Sequence, residues 1–154
     1  MGPVFLTESV NAEVYNRVLT DYYISRAEGE GMLNGYWFMQ DGAPPHRTES
    51  TFNILDNAFS DRVIALGYPD KKDKGIKWPP YSPDLNPLDF FLWDTLKDRI
   101  YSDPPGSIED IKRKVSTEIR NIPVEMLERT IGSFEARLRH VIASRGSHFE
   151  NLIH

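Results

Sequence analysis

The sequence has no cysteine in its 154 residues, which excludes disulfides, thiolate zinc sites and a thiol nucleophile. It has four histidines, His46, His140, His148 and His154, and no pair at the close spacing of a zinc-binding helix. Any metal chemistry must therefore rest on carboxylates. There is no run of about 18 apolar residues, so no helix is expected to span a membrane. The opening Met1-Gly2-Pro3-Val4-Phe5-Leu6 lacks the charged segment and the length of a secretory signal, and composition predicts an intracellular chain. Positive charge is also short. Net charge is −5, with 10 Lys/Arg against 16 Asp/Glu in residues 1–104 and 8 against 7 in residues 105–154. The missing basic footprint counts against simple DNA binding by the chain alone. It leaves room for an enzyme whose DNA-reading domain lies elsewhere.

What is present is a chain of one-domain size with 40% apolar residues, ordinary for a globular protein. Residues 3–7 read as a short strand. Asn11 then caps a helix with Val14, Val18, Leu19 and Tyr22 at helical spacing, ended by Glu28-Gly29-Glu30-Gly31. The apolar run Gly35-Tyr36-Trp37-Phe38-Met39-Gln40, closed by Asp41-Gly42, predicts a strand buried on both faces with Asp41 at its carboxyl end. Thr48 is a candidate cap for a helix to Phe59, buried through Phe52, Leu55, Ala58 and Phe59. Residues 62–66 give the next strand, and this alternation argues for α/β.

Residues 67–75, polar and bracketed by glycine, read as an exposed loop whose lysines could touch phosphates, although a short charge run usually marks a solvated surface. The proline-rich segment 78–87 suits neither a helix nor a central strand. Asn86-Pro87 starts a helix to about Tyr101, with Leu88, Phe91, Leu92, Leu96 and Ile100 inward and Asp89 in its first turn. Beyond Asp103-Pro104-Pro105-Gly106 the pattern is purely helical. Ser107 and Asp110 resemble a capping box before the stripe Ile108, Ile111, Val115, Ile119 and Ile122. A last helix from about Pro123 to about Gly146 carries Leu127, Ile131, Phe134, Leu138 and Val141, a seam expected to pack within the chain. Arg137, Arg139, His140 and Arg145 could meet DNA, though helix C-termini favour basic residues for dipole reasons as well.

Phosphodiester cleavage and transfer commonly use two divalent ions held by carboxylates on rigid elements. Asp41 at a strand end and Asp89 in a first helical turn suit that role. Each also has a structural account, since Asp-Gly opens turns and a carboxylate at N3 supports a cap. Asp84 has a similar structural account in the turn Ser82-Pro83-Asp84-Leu85.

The words FMQDGAPPHRT (38–48), WPPYSPDLNPLDFFLWDTLKDRIY (78–101) and GPVFLTESVNAEVYNRVL (2–19) resemble the mariner-type transposases of the DDE/D superfamily, especially arthropod copies, across essentially the whole chain. The resemblance implies an incomplete α/β ribonuclease-H-like fold, its central first strands missing. Residues 1–104 would be part of the catalytic domain and residues 105–154 an α-helical C-terminal extension. It implies cut-and-paste DNA transposition with Mg²⁺ or Mn²⁺, DNA as partner, no small-molecule substrate and a nuclear location. Asp41 matches the second acidic residue of the triad, Asp89 the third, and Asp84 the supporting turn.

Two departures accompany the resemblance. The family's first catalytic aspartate and its helix-turn-helix region lie upstream of GPVFL, so the chain is expected to be a C-terminal part of a transposase, inactive alone, with metal binding weakened or lost and an exposed strand edge prone to self-association. The 47 residues between Asp41 and Asp89 also exceed the usual mariner spacing, an excess expected in the loop 67–77. The alternative expectation is a non-catalytic remnant that binds DNA or protein through its C-terminal helices.

Overall fold

The structure, a computed structural model, describes residues 2–80 and 82–143. They form two packing units, one from Pro3 to the Trp78-Pro79-Pro80 segment and one from Ser82 onward.

In the first unit, Asn11 accepts the Val14 N–H at 2.9 Å and starts α1 (Ala12–Arg17), satisfying an amide the helix itself leaves unpaired. The helix continues through a π-helical stretch, Val18–Ile24, closed by the Ser25 N–H on Thr20 O, into α2 (Ser25–Gly29). It ends where Gly31 adopts a positive φ. Val14, Leu19 and Ala27 are buried and Tyr22 is exposed, because the wider π turn rotates the apolar face away from the spacing a regular helix would give.

The sheet is small and parallel, in the order β1 (Phe38–Met39), β2 (Val63–Ala65), β3 (Ile76–Lys77). Phe38 pairs with Val63, and Ile64 with Ile76. Between β1 and β2 lies α3 (Glu49–Phe59), capped by Thr48 as its hydroxyl accepts the Thr51 N–H at 3.2 Å. Parallel neighbours require such a crossover. Phe52, Leu55 and Phe59 of α3 bury their side chains with Leu19, Val63, Ala65 and Tyr68, and Phe38 stacks on Phe59 at 5.2 Å.

Three expectations fail in this unit. Residues 3–7 form no strand, and Val4, Phe5 and Leu6 are exposed, since no described strand pairs with them. The strand expected over 35–40 shortens to two residues, with Tyr36 and Trp37 exposed. It lies at the sheet edge with one paired neighbour rather than buried on both faces. The loop 67–75 contains α4 (Tyr68–Lys72) and leads into β3. Its anchor is Tyr68, fully buried, whose hydroxyl donates to Ser60 O at 2.6 Å. The lysines of this segment are tied to carboxylates, Lys71 and Lys72 to Glu49, Lys74 to Asp56 and Lys77 to Asp70. These pairs make an ion-paired surface, and the lysine hydrogen bonds lower the Glu49 carboxyl pKa.

In the second unit, a 3₁₀ turn over Pro83–Leu85 precedes Asn86, whose side chain accepts the Leu88 N–H at 3.1 Å. A π-helical turn, Leu88–Leu92, closed by the Trp93 N–H on Leu88 O, leads into α5 (Trp93–Tyr101). Leu96 and Ile100 are buried as expected, whereas Leu88 is exposed; the π turn again shifts the face. Ser107 caps α6 (Ile108–Arg120) by accepting the Asp110 N–H, while Asp110 accepts from Gly106 N–H one residue before the cap. The Arg113 hydrogen bond first, then the Gly106 amide, lowers the Asp110 pKa. Of the α6 stripe, Ile108 is exposed and the other four are half-buried.

Helix α7 (Val124–Ala143) turns Thr130 inward. Leu127, Ile131 and Leu138 of the expected seam are exposed, because the face that packs is the one carrying Thr130 and Arg137. The helix end expected near Gly146, and Arg145, lie outside the described residues.

Candidate functional site

Asp41 is positioned by pairing on one side and a turn on the other. The Gln40 N–H donates to Ile64 O at 3.0 Å, carrying strand pairing one residue past β1. Asp41 then accepts the Ala43 N–H through Oδ1 at 3.0 Å, the Asx turn that its Asp-Gly sequence favours. Pro44 and Pro45 open a 3₁₀ turn, Pro44–Arg47, that brings His46 back. His46 Nδ1 lies 2.6 Å from Asp41 Oδ1. That nitrogen is buried and does not meet hydrogen-bond geometry, so the contact is a close approach of the imidazole to the carboxylate rather than a directed hydrogen bond.

Behind this turn is a polar network that periodicity does not reveal. The Tyr15 hydroxyl of α1 donates to Gln40 Oε1 at 2.7 Å, Gln40 Nε2 donates to His46 O at 2.8 Å, and the Tyr15 ring lies 4.3 Å from that of His46. Gln40 is 6% exposed with both ends of its amide used, as a buried polar group requires. Burial, and secondarily the Asp41 charge, pushes the Tyr15 hydroxyl above its ordinary pKa. Tyr15, Gln40 and His46 are thus the site residues missed by sequence reasoning. His46 had a signal, standing in the same short word as Asp41 and after two rigid prolines.

Asp89 lies in the second unit, half-buried, its N–H donating to Asn86 O at 2.9 Å. It lines a cleft of about 280 Å³ with Pro83, Phe90, Asp94 and Arg137. Arg137 Nη1 donates to Asp84 O at 3.3 Å, and its guanidinium sits 4.3 Å from the centre of the Phe90 ring. Asp84 is buried within the 3₁₀ turn, in keeping with a supporting role. Of the basic residues on α7, Arg137 therefore turns inward, while Arg139 and His140 are exposed.

Asp41 follows a strand, shorter and less buried than expected, and Asp89 lies in the first turn of a helix. Their donors are hard carboxylate oxygens, which suit Mg²⁺ and Mn²⁺. The donor number falls short: among the described residues no three His, Asp or Glu side chains gather as a metal site. No described helix is long and apolar enough to cross a membrane.

No family model matches the chain. It is 26% identical over 145 residues to the transposable element Tc3 transposase of Caenorhabditis elegans, covering 93% of this chain and 40% of that protein. It is 25% identical over 148 residues to the Tcb1 transposase of Caenorhabditis briggsae, covering 95% and 48%. The chain thus spans less than half the length of these relatives.

Its fold is similar to that of the Mos1 transposase catalytic domain solved with raltegravir and Mn, with a TM-score of 0.74 and 23% identity over 94% of this chain and 68% of that one. The Mos1 mariner transposase catalytic domain gives a TM-score of 0.72, again at 23% identity, over 94% and 66%. The α/β architecture is accordingly a partial ribonuclease-H-like fold. Sequence likeness to the Tc transposases and fold likeness to the Mos1 catalytic domain together support a mariner/Tc1-type DDE transposase catalytic-domain region.

Proposed function

We propose that the chain is a C-terminal portion of a DNA transposase and supplies the second and third acidic ligands of its active site, Asp41 and Asp89. In this reading residues 1–104 are catalytic-domain sequence, residues 105–154 a helical extension, the substrate is transposon and target DNA, and the location is nuclear. The observation that carries it is the placement of Asp41, directly after a parallel strand with one oxygen fixed by its own turn, in a chain that follows a transposase catalytic domain over most of its length.

Asp41 and Asp89 would be two of the ligands holding the divalent ions, which when bound would supply activation of the attacking oxygen and stabilisation of the leaving oxygen of a phosphodiester. The residues of this chain contribute direction. Ala43 N–H holds Asp41 Oδ1, and the Tyr15–Gln40–His46 network holds the turn that carries it. Asn86 fixes the first turn of the helix bearing Asp89. Mg²⁺ and Mn²⁺ both match the donor chemistry, and structures of the Mos1 catalytic domain are described with Mg and with Mn.

A polypeptide of these 154 residues offers two of the three acidic ligands and is expected to have no cleavage activity of its own. Purified protein incubated with Mg²⁺ or Mn²⁺ and a transposon-end duplex should leave the strands intact. Robust metal-dependent nicking that disappears in Asp41→Ala would overturn this part of the proposal.

A further inference from the structure

The cleft that holds Asp89 shares a wall with a second cleft of about 330 Å³, and the shared residues are Phe90 and Arg137. No acidic residue lines this second cleft; Arg129, Ser133 and Arg137 of α7 face Phe90 and Phe91. Positions 129, 133 and 137 fall on one helical face at steps of four, and the 1.5 Å rise per residue sets the two arginines about 12 Å apart along the axis.

Arg137 is anchored on the Phe90 ring and Asp84 O, yet its Nε is buried without a hydrogen-bond partner. A buried donor left unmade is costly, and a bound anion would supply the acceptor. Two guanidiniums and a hydroxyl above an aromatic floor is the chemistry with which proteins track a nucleic-acid strand, charge on phosphates and rings beneath bases.

We propose that this face of α7 is a ledge for the sugar-phosphate backbone of a single DNA strand, laid beside Asp89 with Arg129 and Arg137 on its phosphates. The proposal rests on the transposase reading and adds to it the path of the strand. It also reconciles DNA contact with a net charge of −5, since the contact needs only the arginines of this ledge and no basic surface over the whole chain.

The test is fluorescence anisotropy of a labelled single-stranded oligonucleotide against the 154-residue protein, between roughly 50 and 200 mM salt. The wild type should bind with a salt-dependent affinity. Arg129→Gln, at an exposed residue, should reduce the slope of log affinity against log salt by about 0.7, and Arg129→Gln with Arg137→Gln by about 1.4. Arg137→Lys, which keeps the charge, should retain most of the slope. Inorganic phosphate should compete no better than chloride at equal ionic strength.

Absence of binding, an unchanged slope in Arg129→Gln and in the double variant, or displacement specific to free phosphate would each overturn the ledge. Asp89→Asn should bind the strand at least as tightly, because it removes a negative neighbour. Strand binding intact in the arginine variants while aspartate variants lose their metal response would sink the ledge and leave the transposase reading standing. The reverse pattern would sink only that reading.

Discussion

Tyr68 ties α4 to α3 with both its ring and its hydroxyl. Its ring fills the core against Phe52 at 5.5 Å, edge to face, and its oxygen donates to Ser60 O at the end of α3. Tyr68→Phe leaves that carbonyl without its partner and should cost about 1–3 kcal/mol in denaturant unfolding. Gly75 is a sharper constraint, with φ +80 and a Cβ position 2.6 Å from Val63 O and 2.9 Å from Tyr68 Cδ1. Gly75→Ala therefore meets both strain and collision and should destabilise by about 2 kcal/mol or more, read in the same assay. Burial, chiefly, raises the hydroxyl pKa of Tyr15, Tyr23 and Tyr68. A folded pKa above the unfolded value of about 10 means that the unfolded chain loses these protons first. The contribution is complete below about pH 10 and fades as pH rises towards the folded values. Thermal midpoints should accordingly fall above about pH 10, and midpoints flat to pH 11 or beyond would contradict the buried network at Tyr15. At this scale the local turns that carry the two aspartates were legible, because each is set by a short word of neighbouring residues. Their supporting residues were not, because Tyr15 reaches Gln40 across 25 positions and no periodicity encodes that contact.

Helix starts were legible in the same way and for the same reason. Asn11, Thr48 and Ser107 each cap a residue three positions on, so the signal and the bond lie in one short window. Ser107→Ala should cost about 1 kcal/mol in thermal or denaturant unfolding. What sequence spacing misplaced is which face is inside. Two π-helical stretches, Val18–Ile24 and Leu88–Leu92, shift the register and leave Tyr22 and Leu88 exposed. On α7 the repeat at Leu127, Ile131 and Leu138 identifies a common face but says nothing of what covers it, and these side chains are exposed. Ile131→Ser should therefore change stability by no more than about 0.5 kcal/mol, whereas Leu96→Ala, at a buried position, should cost about 2–5 kcal/mol. A large loss in Ile131→Ser would restore the packed seam that the spacing first suggested.

For the molecule as a whole, the alternation of strand and helix was enough to indicate α/β, and the structure supplies a parallel sheet in agreement. The sheet is much smaller than the apolar runs implied, since strands form only where a neighbour supplies hydrogen bonds. β1 lies at an edge beside exposed Tyr36 and Trp37, and α7 carries a further exposed apolar face. Unpaired edges and apolar patches promote association. Sedimentation at rising concentration should show self-association, and a strict monomer throughout would count against these faces being available.

The central claim is that Asp41 and Asp89 are metal ligands of a DDE transposase, two of three, and it can be tested without cleavage. Mn²⁺ titrated at substoichiometric levels into ¹⁵N-labelled protein broadens amides near any site it visits, even a weak one. The account predicts broadening centred on the amides flanking Asp41 and Asp89, lost locally in Asp41→Asn and Asp89→Asn respectively. Broadening centred elsewhere, or unchanged in both variants, would contradict it.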